Sequence, residues 1–231
     1  MKTAAKPLGL YVHIPFCKQK CAYCDFYSLS GNERLMDDYT DALCAHLTET
    51  APFAAGHTVD TVYFGGGTPS SLGEKRLVQI LKTILKKYRV DRHAEITLEA
   101  NPDSAGDQKA LKALRKAGFN RVSLGMQSAC EEELREIGRV HTMDQVRAAV
   151  EAARKAGFDN LSLDLIYGLP HHADQPADNE GQCHVLQDGG LVRVPLHVLL
   201  VFLGGHIHGN TSFHIQYVLH LLKYVFLEKN G

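Results

Sequence analysis

The stretch Arg115-Lys-Ala-Gly-Phe-Asn-Arg-Val-Ser-Leu-Gly125 returns further on as Arg154-Lys-Ala-Gly-Phe-Asp-Asn-Leu-Ser-Leu-Asp164. Each copy reads as a helix end, a glycine stop and a strand. Repetition of that order makes the two stretches structurally equivalent βα units. Working outward, strand candidates are Gly9–Phe16, Thr61–Phe64, Glu95–Ala100, Arg121–Met126 and Asn160–Tyr167. Each is short, rich in Val, Ile, Leu or aromatic residues, and bounded by turn formers. Helical patterns lie between them. Ser71-Leu-Gly-Glu74 reads as a capping box opening a helix to about Tyr88. A second helix runs from Ser104 to Ala117, with Leu111 and Leu114 on one face and Gly118 as its stop, and Thr142-Met-Asp-Gln145 opens another that ends at Gly157. Asp38 to Leu47 and Glu131 to Ile137 are helix-like as well. Such alternation predicts an α/β fold on a parallel sheet. A doubly wound sheet and a partial (βα) barrel both satisfy it. Polar residues gather at the strand C-termini: a cysteine loop, Gly65–Thr68, Glu99-Ala-Asn101-Pro102, Gln127 and Asp164. In a βα barrel those ends form one functional face, which favours the barrel.

The first strand runs into His13-Ile-Pro-Phe-Cys17-Lys-Gln-Lys-Cys21-Ala-Tyr-Cys24-Asp. Three thiolates on one short loop can ligate three irons of a [4Fe–4S] cubane and leave the fourth iron open. Electron-transfer clusters are mostly closed by four cysteines, so an open iron points to chemistry at the cluster, such as that of S-adenosylmethionine (AdoMet). A Cys3His zinc site with His13 is the other reading; it lacks the second cysteine knuckle usual in structural zinc sites. A disulfide framework is not expected in a chain of this length without a secretory leader. Of the other cysteines, Cys44 reads as a core or half-buried thiol, Cys130 has no partner at ligand spacing, and Cys183 lies in the stretch after Pro170 where the pattern changes.

A length of 231 residues suits one domain, or one with an appendage. The formal net charge of -1 supplies no basic field for nucleic acid. The apolar run Leu196–Leu203 is too short to span a bilayer, which takes about 20 residues. A soluble, cytoplasmic setting is the expectation.

On the predicted functional face, Gly65-Gly66-Gly67-Thr68-Pro69 allows close approach to the backbone and is a candidate for holding an amino-acid-like ligand. Asp164 interrupts the apolar run Leu161–Ile166, so its carboxylate needs a partner, and Arg139 is one candidate. Glu99, Gln127 and Tyr11 read either as site residues or as capping, solvated and packing groups.

Several ordered motifs between Leu8 and Pro170 together resemble the radical S-adenosylmethionine superfamily. They are Tyr11-Val-His-Ile-Pro-Phe-Cys, the cysteine loop, Phe64-Gly-Gly-Gly-Thr-Pro-Ser, Glu99-Ala-Asn-Pro, Ser123-Leu-Gly-Met-Gln-Ser, Gly138-Arg-Val-His and Asp164-Leu-Ile-Tyr-Gly-Leu-Pro. Within that superfamily the chain looks most like the branch of oxygen-independent coproporphyrinogen III oxidases and HemW-type haem chaperones. The resemblance implies a partial (βα)6 TIM-like barrel. It implies that Cys17, Cys21 and Cys24 ligate a [4Fe–4S] cluster and that AdoMet chelates the open iron. Gly66, Gly67 and Thr68 would hold the methionyl amine, Tyr11 would sit beside the ligand, and Glu99, Gln127, Arg139 and Asp164 match cofactor-contacting positions. One-electron reduction would then cleave the sulfonium to a 5′-deoxyadenosyl radical. Asp25-Phe26 after Cys24, where oxidase-like sequences carry a further cysteine, and a start close to the first strand both favour the haem-chaperone type. The partners so implied are haem or a porphyrin, an electron donor such as a flavodoxin or ferredoxin, and a haemoprotein acceptor. A coproporphyrinogen III dehydrogenase is the alternative.

The family pattern stops at Pro170. His171-His172-Ala-Asp replaces the expected Gln-Thr, and the chain has no Trp. Eight of the 13 histidines lie from His171 onward. The expected organisation is therefore a radical AdoMet core over 1–170 and an atypical tail over 171–231, in place of the last barrel units and a C-terminal domain. A truncated or frame-shifted, non-functional copy would account for such a tail. Within it, Leu191–Leu203 could form a sixth strand and Phe213–Leu227 a helix, while His206, His208 and His214 read as chance histidines rather than ligands.

Overall fold

The computed structural model describes residues 5–166, 169 and 226–227. Five strands form a parallel sheet: β1 (Lys6–Ile14), β2 (His57–Gly66), β3 (Val90–Ala100), β4 (Arg121–Gln127) and β5 (Asn160–Leu165). A two-residue strand, β6 (Phe226–Leu227), lies antiparallel beside Gly9 and Leu10 of β1. The order is β5-β4-β3-β2-β1-β6, so the five parallel strands follow one another without reversal. A doubly wound sheet reverses its order at a switch point. Consecutive right-handed crossovers instead put every helix on one face, as in a barrel wall. The partial barrel is thus the arrangement found, and the sixth βα unit lies outside the described residues.

Alternation along the strands separates two faces. Val12, Phe64, Leu98, Val122 and Leu161 stand in register across all five strands and are buried. They meet the apolar faces of α1 (Glu33–Thr50), α2 (Glu74–Lys87), α3 (Gln108–Ala117) and α5 (Met143–Lys155) in one continuous core. The opposite, inner face carries Tyr11, His13, Tyr63, Glu99, Ser123, Ser162 and Asp164. A short α4 (Glu131–Glu136) precedes α5.

Local chemistry sets the helix ends. The capping box at Thr142 and Gln145 forms. The one read at Ser71 does not, because Pro69 starts a 3-10 turn over Pro69–Leu72 and α2 begins only after Gly73. The helix expected from Ser104 begins at Gln108, since Asp107 takes the N-cap and accepts from the amides of Lys109 and Ala110. Cys44 packs partly buried against the core, as expected. The repeated units do stop at glycines in the left-handed region, Gly118 at φ 126° and Gly157 at φ 94°. They also interlock: Arg115 Nε donates to the carbonyl of Gly157 at 2.8 Å, and its guanidinium lies 6.0 Å from the Phe158 ring centroid.

Tyr167, the tail over 171–231 as a unit, Cys183, the strand Leu191–Leu203 and the three tail histidines lie outside the described residues. So does most of the helix expected over Phe213–Leu227; its last two residues, Phe226 and Leu227, are strand. Among the described residues no helix is long and apolar enough to cross a membrane.

Candidate functional site

The cysteine loop leaves the end of β1 and is closed at its neck by backbone hydrogen bonds, from Leu29 N to Pro15 O at 2.6 Å and from Cys17 N to Leu29 O at 3.1 Å. Phe16 anchors it, 1% exposed and edge-on to Tyr39; the Tyr39 hydroxyl donates to the His13 carbonyl. Cys17, Cys21 and Cys24 are half-buried free thiols. Among the described residues no three His, Cys, Asp or Glu side chains converge on a point where one ion could sit.

The glycine turn after β2 is built against this loop. Gly67 N donates to Ile14 O at 2.8 Å, and Thr68 N to Phe16 O at 2.7 Å. A Cβ on Gly67 would come within 2.8 Å of Phe16 O and 3.0 Å of Cys17 Sγ, and one on Gly66 would strike the His13 ring at 2.6 Å. Gly66 also sits at φ 119°, where a side chain is strained. Here the chain's own loop makes the close approach that the glycines permit. Thr68 Oγ1 lies 3.5 Å from Cys17 Sγ and accepts from Asn101 Nδ2 at 3.1 Å.

On the inner face Glu99 accepts from the Tyr63 hydroxyl at 2.6 Å and from Gly66 N at 3.2 Å. Burial, with Asp164 nearby, pushes its pKa up to about 7 despite those donors. Tyr11 stacks on Tyr63 with ring centroids 6.1 Å apart, and burial raises its pKa. Asp164 accepts from Ser123 Oγ at 2.8 Å, and burial holds its pKa above the usual carboxylate range. Arg139 is not its hydrogen-bonding partner: that guanidinium donates to Gly125 O at 2.5 Å, Asn101 Oδ1 at 2.9 Å and Cys21 Sγ at 3.4 Å. Arg139 Nε is buried without a partner. Gln127 ends β4 at φ 67°.

The profile of the Radical SAM superfamily matches residues 11–179. This chain belongs to the radical SAM superfamily. The heme chaperone HemW of Escherichia coli is 39% identical over 173 residues, 74% of this chain and 45% of the relative. HemW of Bacillus subtilis is 40% identical over 161 residues, 69% of this chain and 42% of the relative. The coproporphyrinogen III oxidase HemN from Escherichia coli superposes with a TM-score of 0.72 at 33% identity, over 80% of this chain and 43% of that one. This radical SAM chain thus spans less than half the length of these relatives.

Superfamily membership implies a [4Fe–4S] cluster and AdoMet, and the residues fit that pair. Three soft sulfur donors share one loop, Gly67 leaves the space that Cys17 Sγ lines, and an arginine donates to Cys21 Sγ. Of the residues expected from sequence, Cys17 touches Thr68, Arg139 reaches Cys21, and Glu99 reaches Gly66. Tyr63, Asn101, Ser123 and His141 were not singled out, although they hold Glu99, Thr68, Asp164 and β4 in place. Strand alternation, which puts Tyr63 two residues before Gly65, is the signal for the first; Asn101, Ser123 and His141 lie within the motifs Glu99-Ala-Asn-Pro, Ser123-Leu-Gly-Met-Gln-Ser and Gly138-Arg-Val-His.

Proposed function

We propose that this chain is the radical SAM core of a HemW-type haem chaperone, a cytoplasmic protein that binds haem and passes it to haemoproteins. The observation that carries the reading is 34–40% identity to HemW chaperones over 161–173 residues. In this reading Cys17, Cys21 and Cys24 hold the cluster. Gly66, Gly67 and Thr68 receive the amino end of AdoMet, with Tyr11, Glu99, Gln127, Arg139 and Asp164 around the rest. The bound pair supplies one-electron reductive chemistry at a sulfonium. Glu99 and Asp164 provide negative charge toward the cationic ligand, and Arg139 neutralises part of the thiolate charge beside Cys21. The electron donor is a flavodoxin or ferredoxin. Residues 1–170 form the core, and 171–231 an atypical tail in place of the last barrel units and a C-terminal domain.

The second reading, a coproporphyrinogen III dehydrogenase, is favoured by the superposition on HemN. Anaerobic iron–sulfide reconstitution of the purified chain separates the two. A reduced-cluster electron paramagnetic resonance signal that shifts on adding AdoMet, with stoichiometric haem binding and no porphyrinogen turnover, supports the chaperone. AdoMet-dependent decarboxylation of coproporphyrinogen III supports the enzyme. Failure to form a cluster, with no cooperative thermal transition, would mark a non-functional copy.

A further inference from the structure

Strand β4 does not run regularly to its end. Leu124 stands opposite Leu163 but Gln127 opposite Leu165, so β4 carries one residue more than β5 across that interval. An extra residue bends a strand and re-aims the side chain that follows. Here that side chain belongs to Gln127, the one non-glycine at positive φ among the described residues. A side chain is strained there, and the conformation persists only where the surroundings over-determine it.

The surroundings do so through three successive carbonyls. Gly125 O accepts from Arg139 Nη2 at 2.5 Å, Met126 O meets His141 Nε2 at 3.0 Å, and Gln127 O accepts from Ile166 N at 2.9 Å. Two of these partners come from one short segment, Gly138-Arg-Val-His, between α4 and α5. A carbonyl can only accept, so Nε2 of His141 carries the proton. His141 is 4% exposed, and water has little access to replace that bond. Gly125 completes the device, since a Cβ there would lie 2.6 Å from Arg139 Nη2 and 2.8 Å from Gln127 Nε2.

We infer that His141 is a positioning residue: its hydrogen bond to the Met126 carbonyl holds the β4 bulge in the shape that turns Gln127 into the cofactor site. The inference rests on the reading of Gln127 as an AdoMet contact. The motif Gly138-Arg-Val-His then acts as one clamp. Arg139 joins β4 to Cys21 of the cluster loop, and His141 sets the backbone from which Gln127 projects.

The test uses the full chain after anaerobic cluster reconstitution. AdoMet affinity is read from the change in the reduced-cluster resonance, and the thermal midpoint of the apo chain is followed in parallel. A Gln side chain reaches about as far as imidazole Nε2 and offers an N–H; Leu fills volume without a donor. Q127A and H141L are each expected to weaken AdoMet binding by roughly tenfold, the size of one lost hydrogen bond. The double variant should be little weaker than the worse single one, because both changes disable the same contact. H141Q should bind as the parent does. An unchanged affinity in H141L, with Q127A weakened, would overturn the inference and leave the Gln127 reading intact. Fully additive losses would overturn it too. An unchanged Q127A would sink the Gln127 reading and the inference with it. Should H141L fail to fold, H141N decides, because its amide stops short of the Met126 carbonyl: equal affinity in H141N and H141Q would count against us. Nitrogen-15 spectra of the histidine-labelled apo chain give an answer free of any cofactor. The Nε2–H tautomer is expected for His141, and a neutral Nδ1–H tautomer would refute the geometry.

Discussion

Glu99 accepts two hydrogen bonds yet is crowded enough that its pKa rises to about 7 from 4.5. For an acid raised in this way, the stabilising contribution is complete below the unfolded pKa and is lost as pH climbs through the folded one. The thermal midpoint of the apo chain should therefore fall between pH 5 and pH 8, and E99Q should flatten that slope; parallel slopes would refute the assignment. Asp164, Arg121 and Tyr63 are the other groups that act on this carboxyl, so the slope belongs to the cluster as well as to Glu99. A cationic ligand favours the ionised form, so AdoMet binding should tighten over the same pH window. Gly67 makes a second residue-scale case. G67A would drive a methyl into the Phe16 carbonyl and Cys17 Sγ, a clash worth about 1–3 kcal/mol. Its iron content after reconstitution should drop well below that of the parent, read as iron per chain.

Elements were legible where period and punctuation agreed. The repeat at Arg115 and Arg154 announced helix, glycine and strand, and both glycines do adopt positive φ. Thr142 and Gln145 announced a capping box that forms. T142A should cost about 1 kcal/mol and lower the thermal midpoint by a few degrees, while AdoMet affinity stays that of the parent. A change in affinity would mean that α5 couples to the site through His141. Other signals misled because a stronger local rule intervened. Pro69 imposed a tight turn on Ser71, and Asp107 outcompeted Ser104 as a cap. The strands were placed correctly but drawn short at the N-terminal end: β2 begins at His57 rather than Thr61, and β3 at Val90 rather than Glu95. Most of the residues missed at those ends are polar (His57, Thr58 and Asp60 in β2; Asp91, Arg92 and His93 in β3), so periodicity is weak there. The bulge in β4 left no mark in composition. It depends on donors from a segment beyond α4, and pairing of that kind does not show in the local pattern.

At the scale of the molecule, parallel pairing brings the C-terminal ends of β1 to β5 to one side, and the cysteine loop, glycine turn, Asn101, Gln127 and Asp164 follow. Sequence reading reached this common face through the polar residues at strand ends, but it could not see which partners they choose. Arg139 gives its hydrogen bonds to Gly125, Asn101 and Cys21 and acts on Asp164 only through its charge. In the described sheet β2, β3 and β4 are paired on both sides, whereas β5 ends it. Amide hydrogen exchange should accordingly be slowest in β2–β4 and faster in β5; equal protection in β5 would mean that a further segment covers its edge. The hydrogen bonds from Gly67 and Thr68 to Ile14 and Phe16 carry one more consequence, in the order of biosynthesis. The three thiols leave the ribosome well before the turn that shapes their loop, and α1 must be made and packed before β2 can dock beside β1. A nascent chain therefore exposes its cysteines without a formed nest. In the proposed reading iron delivery follows the arrival of the glycine turn, and a chain stalled ahead of it would present loose thiols to any passing metal.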